Sequence, residues 1–205
     1  MINLNTSPTP TALLELKDER EVVNEAYEFL DEKRLLLAAE ILRQLDTYER
    51  LLAQLKSSGS ESSRQLIAAV GRHGLQGTSI YPPLQFSDAR LNVSESNFMG
   101  VVLTVTEFIY HVAKETEQNT ACNRSTEAES CRQIFLELTQ KSAVLAGISG
   151  NLHRLLREYR LTERRARALE NVILPEIEET LSNISTHLEE LDLEEIVRAR
   201  LKYSH

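Results

Sequence analysis

Six arginines crowd one short stretch of the chain and form its strongest chemical signal. They are Arg154, Arg157, Arg160, Arg164, Arg165 and Arg167. Positive charge at this density suits contact with acidic loops of a partner. On the flank of a coiled coil it also pairs with acids of the same chain, such as Glu158 and Glu163. We predict that these six residues, called the arginine belt below, divide between the two roles.

The other residues that could do chemistry are not spaced for it. Gly71, Gly74 and Gly77 recur every third residue, but the GxxxxGK[ST] pattern of a phosphate loop is absent, so we expect a flexible connector. Paired carboxylates such as Glu178–Glu179 suit a solvated helix face rather than acid–base work. The histidines match no metal-binding motif. The sequence therefore predicts no catalytic residue, no cofactor site and no metal site.

The composition is typical of long helices rather than of a compact enzyme. The 205 residues carry a net charge of −8, with 26% charged and only 5% aromatic residues. A net acidic chain does not suit a nucleic-acid partner. No apolar run of about 18 residues and no secretory signal is visible, so we expect a cytoplasmic location without membrane insertion. Cys122 and Cys131 are predicted to be free thiols, because their spacing fits neither a redox pair nor a zinc site.

An amino-terminal helix is the first element predicted to position these residues. Apolar residues and tyrosines keep a heptad spacing from Leu13 to Leu55, as in a helix that pairs with another. The prolines before Thr11 mark the start, since proline is tolerated in the first helical turn. We place the end of this helix at residue 58, because the polar run Ser57–Ser63 follows.

A second heptad stripe predicts a very long carboxyl-terminal helix from about Glu127 to Arg200. The stripe begins at Ile134, and its steps alternate between four and three residues until Leu169. Consecutive four-residue steps then lead to Leu181, and Pro175 lies among them. Such steps unwind a left-handed supercoil, and proline removes a helical hydrogen bond. We therefore predict a kink at Pro175.

Between the helices the sequence predicts a small mixed insert. Gly71–Gly77 and Tyr81–Pro83 interrupt helix formation, and Leu91–Ile109 is rich in β-branched residues. We predict a β-hairpin there, with its turn near Glu95–Asn97. The predicted fold class is all-α: a long antiparallel two-helix coiled coil with a small mixed insert that contains the β-hairpin. The domains are then residues 1–58, 59–126 and 127–205.

The register of the two helices follows if their stripes pair antiparallel. Leu13 then lies opposite Leu191, the last residue of the second stripe, and Leu55 lies near Ser149.

Several stretches of the chain resemble the D subunits of V-type and archaeal-type rotary ATPases. The resemblance covers about half the chain, and its carboxyl-terminal part is the more specific. Four positions depart from the family pattern: Ser7, Pro10, Ala26 and Asp31 stand where the family has Asn, Arg, Gly and Lys. The similar segments are Pro8–Thr9, Leu13–Lys17, Phe29–Arg34, Asn97–Val101, Arg164–Glu170, Val172–Pro175, Ile177–Leu181 and Leu188–Arg198.

This resemblance implies a non-catalytic rotor shaft. The chain would transmit torque between a catalytic nucleotide-binding ring and an ion-translocating rotor in the membrane, on the cytoplasmic face. Its partners would be ring subunits of the A and B types, the small F subunit of the stalk, and a membrane-rotor adaptor of the C/d type. The arginine belt would face acidic loops of the ring, and the insert would dock the F subunit. The insert residues expected to contact it are Asn97, Phe98, Gly100, Val101 and Leu103.

Alternative functions remain open at this point. A coiled-coil interaction or chaperone protein, such as a prefoldin-like protein or an export-apparatus stalk, also joins two helices through β-structure. The shaft of an F-type ATPase has similar helices but a larger insert. An enzyme is disfavoured because the residues of an active site are missing.

Overall fold

The computed structural model describes residues 8–81, 89–110 and 125–203. The prolines at 82 and 83 and the cysteine at 122 lie outside these ranges. The chain divides into two compact units, Met1–Leu36 with Tyr159–His205 (unit 1) and Leu37–Glu158 (unit 2). Among the described helices we find none that combines the length and the apolar character of a membrane-spanning segment.

The first helix, α1, spans Pro10–Ile80. Thr9 caps its start, because the Thr9 hydroxyl accepts a hydrogen bond from the backbone N–H of Ala12 (3.2 Å). The predicted end at residue 58 is wrong. The serine-rich run Ser57–Ser63 stays helical, and its hydroxyls donate to backbone carbonyls within the preceding turn (2.8 to 3.0 Å).

Only one of the three glycines predicted to form a connector breaks the geometry of α1. Gly74 has φ 70° and ψ 168°, which lies in a region that side chains rarely allow. Gly71 and Gly77 are part of the helix on either side. The prediction of a flexible connector over Gly71–Gly77 is therefore wrong, and the interruption is a single residue.

The predicted carboxyl-terminal helix is present as three consecutive helical segments. These are α2 (Thr126–Ala168), a π-helical segment (Leu169–Ile173) and α3 (Leu174–Tyr203). In the π-helical segment the N–H of Leu174 donates to the carbonyl of Leu169, five residues earlier. The wider turn lies directly before Pro175, whose ring would crowd the carbonyl of Asn171 in a regular α-helix. The bend assigned to Pro175 stays a prediction.

The predicted β-hairpin is confirmed, but its turn lies elsewhere. Strands β1 (Arg90–Phe98) and β2 (Val101–Ile109) pair antiparallel, with Phe98 opposite Val101. The turn is therefore Met99–Gly100 and not Glu95–Asn97. Both turn residues have positive φ, 51° and 85°, as a two-residue turn of type I′ requires. The Asn97 side chain accepts a hydrogen bond from the Gly100 N–H (3.0 Å), which closes the turn.

Burial follows the predicted stripes inside each unit. In unit 1 the buried residues include Leu16, Ala166, Ile177 and Ile184. In unit 2 the Leu37 and Leu155 side chains are fully buried, with Leu145 nearly so. Leu136 is also buried although it lies off the predicted stripe, whose residues Ile134 and Leu138 are only half-buried there. The paired helices with a buried seam confirm the predicted fold class.

Three side-chain contacts in unit 2 show that α1 and α2 run antiparallel. Lys141 Nζ donates to Ser58 Oγ (2.7 Å), Arg72 pairs with Glu127 (2.9 Å), and His73 Nε2 lies 2.6 Å from Ser125 Oγ. The predicted register is wrong here, because it would set Ser58 opposite Ala146, more than a helical turn from Lys141. An apolar stripe alone permits more than one alignment of the two helices. The polar contacts select one of these alignments.

Candidate functional site: the arginine belt and the hairpin junction

All six side chains of the arginine belt are exposed. In unit 1, Arg167 Nη2 pairs with Glu163 Oε1 at 2.7 Å, one helical turn away. Within the described part of the chain, Arg157, Arg160, Arg164 and Arg165 make no ion pair. As far as the described residues are concerned, these four guanidinium groups are therefore available as donors to other molecules.

Arg154 has a role inside the chain that the sequence did not reveal. Its Nη2 donates to the Thr104 hydroxyl of β2 (2.7 Å) and to Asn151 Oδ1 (2.6 Å). The side chain therefore spans α2 and the hairpin. One member of the arginine belt thus holds the hairpin in place.

Asn151 makes the central contact between α2 and the hairpin. Its Oδ1 accepts from the N–H of Thr104 and its Nδ2 donates to the carbonyl of Thr104, both at 2.8 Å. The side-chain amide thereby occupies the place that a neighbouring strand would take on β2. Asn151 is 4% exposed, so loss of either bond leaves buried polar groups without a partner.

One turn before Asn151, Gly147 lets the hairpin approach the helix. The Thr106 hydroxyl donates to the backbone carbonyl of Ala143 (2.7 Å). A Cβ on Gly147 would clash with the same hydroxyl and lie 3.1 Å from Thr106 Cγ2. Gly147 is therefore required by close packing. We call the contacts of Ala143, Gly147, Asn151 and Arg154 with Thr104 and Thr106 the hairpin junction.

The hairpin residues predicted to contact a partner fall into two groups. Asn97 and Gly100 are exposed at the turn, and Phe98 is half-buried. Val101 and Leu103 are buried, with 5% and 7% exposure. The two apolar side chains thus already pack inside this chain, whereas the turn faces outward.

A second polar cluster joins the ends of α1 and α2. Ser125 caps α2, since its hydroxyl accepts from the N–H of Ala128 (3.2 Å), and the same oxygen contacts His73. The pKa of Glu127 is lowered, first by the bond from its own backbone N–H and then by the Arg72 guanidinium. Charge of this sign is also favourable in the first turn of a helix.

Cys131, near the start of α2, is a free thiol, as predicted for this residue. Burial raises the pKa of the thiol, which keeps it in the unreactive protonated form. In the described residues, no group of three or more His, Cys, Asp or Glu side chains could hold a metal ion.

Sequence reasoning missed the hairpin junction. Gly147 and Asn151 interrupt an otherwise regular coiled-coil helix at a spacing of one turn. A conformationally costly glycine and a buried amide in such a helix are a signal that another backbone comes close. The strand that approaches could not be identified from that signal alone.

Comparison with known proteins bears on the whole chain. Residues 12–202 match the family model of the ATP synthase D subunit. The V-type ATP synthase D subunit of Thermotoga neapolitana is 26% identical over 200 residues, covering 96% of both chains. The A-type ATP synthase D subunit of Thermococcus sibiricus is 28% identical over 198 residues, covering 96% of this chain and 92% of its own. That of Methanopyrus kandleri is 26% identical over 199 residues, covering 96% and 84%.

Proposed function

Because the chain belongs to the family of ATP synthase D subunits, we propose that it is the central stalk of a V/A-type ATPase or ATP synthase. In this role it is a rotor shaft without catalytic activity of its own. It transmits torque between the catalytic nucleotide-binding ring and the ion-translocating rotor of the membrane, on the cytoplasmic face.

The observation that carries this proposal is the pairing of long helices along buried seams. The contacts of Ser58 with Lys141 and of Arg72 with Glu127 tie α1 to α2 at separate levels of unit 2. Bending one helix of such a pair requires shearing its packing against the other. A twisting load is therefore resisted by side-chain interdigitation rather than by a single helix.

The partners follow the same proposal. Residues 1–58 and 127–205 belong to the shaft, and residues 59–126 form the insert, whose first part continues α1 to Ile80. The insert docks the small F subunit of the stalk through Asn97, Phe98 and Gly100, while the buried Val101 and Leu103 hold this surface from inside the chain. The A- and B-type ring subunits surround the shaft, and a C/d-type adaptor connects it to the membrane rotor. Within the arginine belt, Arg157, Arg160, Arg164 and Arg165 face acidic loops of the ring, since their charge is not neutralised by an ion pair in the described chain. Pro175 marks the kink of the shaft.

A rotation assay on the assembled complex tests the shaft role. A probe bead is attached to Gln76→Cys, an exposed position near the end of α1, in a Cys122→Ser background. The buried Cys131 thiol with its raised pKa is left in place because it reacts slowly. With the ring fixed to a surface, we expect ATP to drive steps of the bead in one direction.

The same complex without ATP is the control and should leave the bead stationary. If the ring hydrolyses ATP while the bead on this chain stays still, the chain is not the rotor.

A further inference from the structure

The hairpin has two outer edges, and among the described residues only the edge of β2 is occupied. The edge of β2 faces α2, where the Asn151 side chain bonds both backbone groups of Thr104. The residues of β1 are exposed from Arg90 to Asn97, and Phe98 is half-buried. The sheet has no third strand among the residues that the structure describes.

The hydrogen-bond alternation of the hairpin shows which groups of β1 face away from β2. In an antiparallel pair, the backbone groups of successive residues point alternately toward the partner strand and away from it. Thr104 points away from β1, since Asn151 binds it there, and its register partner is Glu95. Glu95 therefore points away from β2. By the same alternation the backbones of Leu91, Val93 and Asn97 also point outward.

We propose that the open edge of β1 receives an extended segment of a partner polypeptide as a third strand. The partner is another protein of the same complex, so this inference rests on the proposed function. A row of outward N–H and C=O groups matches another extended backbone, whereas a helix has already satisfied its own. Of the features that normally block pairing, Arg90–Phe98 contains no proline and no lysine, and its register shows no bulge.

The side chains along β1 define the chemistry of the incoming strand. Leu91 and Val93 are 56% and 47% exposed, and Val102 on the same face of the sheet is 44% exposed. Apolar residues at alternate positions of the partner strand would cover them. Glu95 lies in the centre of the edge, so the residue opposite it is basic, as cross-strand pairs of opposite charge are favourable.

The β1 edge of a second copy of this chain does not place a basic residue opposite Glu95. The backbone of Arg90 points toward β2, because its register partner is Ile109, an odd number of residues from Thr104. An antiparallel pairing of two β1 edges uses only the outward residues. No such register sets Arg90 of one copy opposite Glu95 of the other, and the register centred on Glu95 sets two carboxylates together.

Amide hydrogen exchange on the full chain, alone and in the assembled complex, tests the proposal directly. In the free chain the amides of Ser94 and Ser96 are protected by β2, whereas those of Val93 and Glu95 exchange fast. In the complex we expect exchange at Val93 and Glu95 to slow by at least about tenfold, with little change at Ser94 and Ser96. Fast exchange at Val93 and Glu95 in an intact complex would overturn the inference and leave the stalk assignment untouched.

Paired substitutions separate backbone pairing from apolar contact. Val93→Pro removes one outward N–H without removing a bond to β2, and Val93→Ala shortens the side chain but keeps the N–H. In the complex we expect the Glu95 amide to exchange at least about tenfold faster in the proline variant than in the alanine variant. Protected amides at Ser94 and Ser96 in the free proline variant verify that the hairpin still forms.

Three further outcomes contradict the inference. Equal effects of the two substitutions would mean that the partner covers the surface without pairing to it. Protection of Val93 in a dimer of the isolated chain would assign the edge to a second copy. Normal protection of Glu95 in the complex of the proline variant would exclude strand addition, whereas failure of the unmodified chain to enter any complex would contradict the proposed function itself.

Discussion

The two units of this chain are both built around paired helices, yet they are held by different forces. Unit 2 joins its elements by polar bonds between distant residues, such as Asn151 with Thr104 and Lys141 with Ser58. In unit 1 the ion pairs Asp31–Arg34, Glu163–Arg167 and Glu194–Arg198 join residues only three or four apart. Its buried residues are mostly apolar, with Ile177 fully buried.

This difference shows that the stability of a helix pair and the alignment of its two helices have different sources. An apolar stripe supplies most of the stabilising free energy, but it repeats and therefore permits more than one alignment of the helices. A buried amide or a small residue at a close approach accepts only one partner position. Unit 2, which carries the insert, thus has a defined geometry between elements, whereas the stripe of unit 1 mainly requires that apolar residues remain covered.

The largest effect is expected from Asn151→Ala in unit 2. The change leaves the N–H and carbonyl of Thr104 without their partner and removes a contact of Arg154, so local opening of the hairpin should become easier by about 2 kcal/mol. Exchange at the Thr104 amide measures this loss. Asn24→Ala on the exposed face of α1 is the control and should leave it unchanged. If Thr104 stays protected, the contact does not hold the hairpin.

A smaller effect is expected when the close approach of the hairpin is blocked. Gly147→Ala and Gly150→Ala both gain helix propensity of about 1 kcal/mol. Only the Cβ on residue 147 collides with Thr106, whereas on residue 150 it meets the flexible Arg154 guanidinium at 3.8 Å. Overpacking should cost about 2 kcal/mol, so Gly147→Ala should lower the free energy of unfolding and Gly150→Ala should raise it. Equal gains in urea unfolding would show that the hairpin is not tightly docked.

In unit 1 we expect a stabilising substitution at the seam. Thr162 is 1% exposed, and its hydroxyl has no hydrogen-bond partner in the described chain. Thr162→Val should therefore raise the free energy of unfolding by about 1 kcal/mol, measured by thermal denaturation. The matched control is Thr180→Val, because the Thr180 hydroxyl donates to the Glu176 carbonyl (2.7 Å) and its loss should give no gain. A destabilised Thr162→Val variant would mean that this hydroxyl has a partner after all.

The smallest effect concerns the ion pair between α1 and α2. The pKa of Glu127 is depressed in the folded chain, so its contribution to stability is complete above the unfolded pKa of about 4.3 and is lost as pH falls through the folded pKa. Arg72→Gln should raise the pKa of Glu127 in the folded chain part of the way toward its unfolded value. The bond from its own backbone N–H remains and is the larger cause of the depression. A carboxyl NMR titration measures both values, and an unchanged pKa would show that Arg72 has no influence.

Long periodic elements were predicted well because the signal is distributed over many residues. The heptads of α1 and α2 and the β-branched run of the hairpin each average over local exceptions. The run Ser57–Ser63 was misjudged because serine hydroxyls can bond to the backbone of a helix as well as end it. The turn at Met99–Gly100 was missed because methionine rarely adopts positive φ, and the tertiary pairing imposes it here.

The hairpin junction could not be predicted, for a different reason. Asn151 and Thr104 are 47 residues apart, and neither belongs to a periodic pattern from which the other could be identified as its partner. The same holds for the register of α1 against α2, which rests on single contacts such as that of Ser58 with Lys141. Contacts of this kind depend on the three-dimensional path of the chain between them.

The π-helical segment at Leu169–Ile173 also has an evolutionary meaning. A π turn holds one residue more than an α turn, so it arises when a single residue is inserted into a helix. In a regular α-helix an extra residue would turn everything after it by about 100° around the helix axis, and the wide turn absorbs this rotation. Deleting one residue there would restore α-geometry and keep Ile177 and Ile184, now buried, on the seam. Relatives without the wide turn should therefore align with a one-residue gap just before Pro175. After this gap, their apolar residues should align with Ile177 and Ile184.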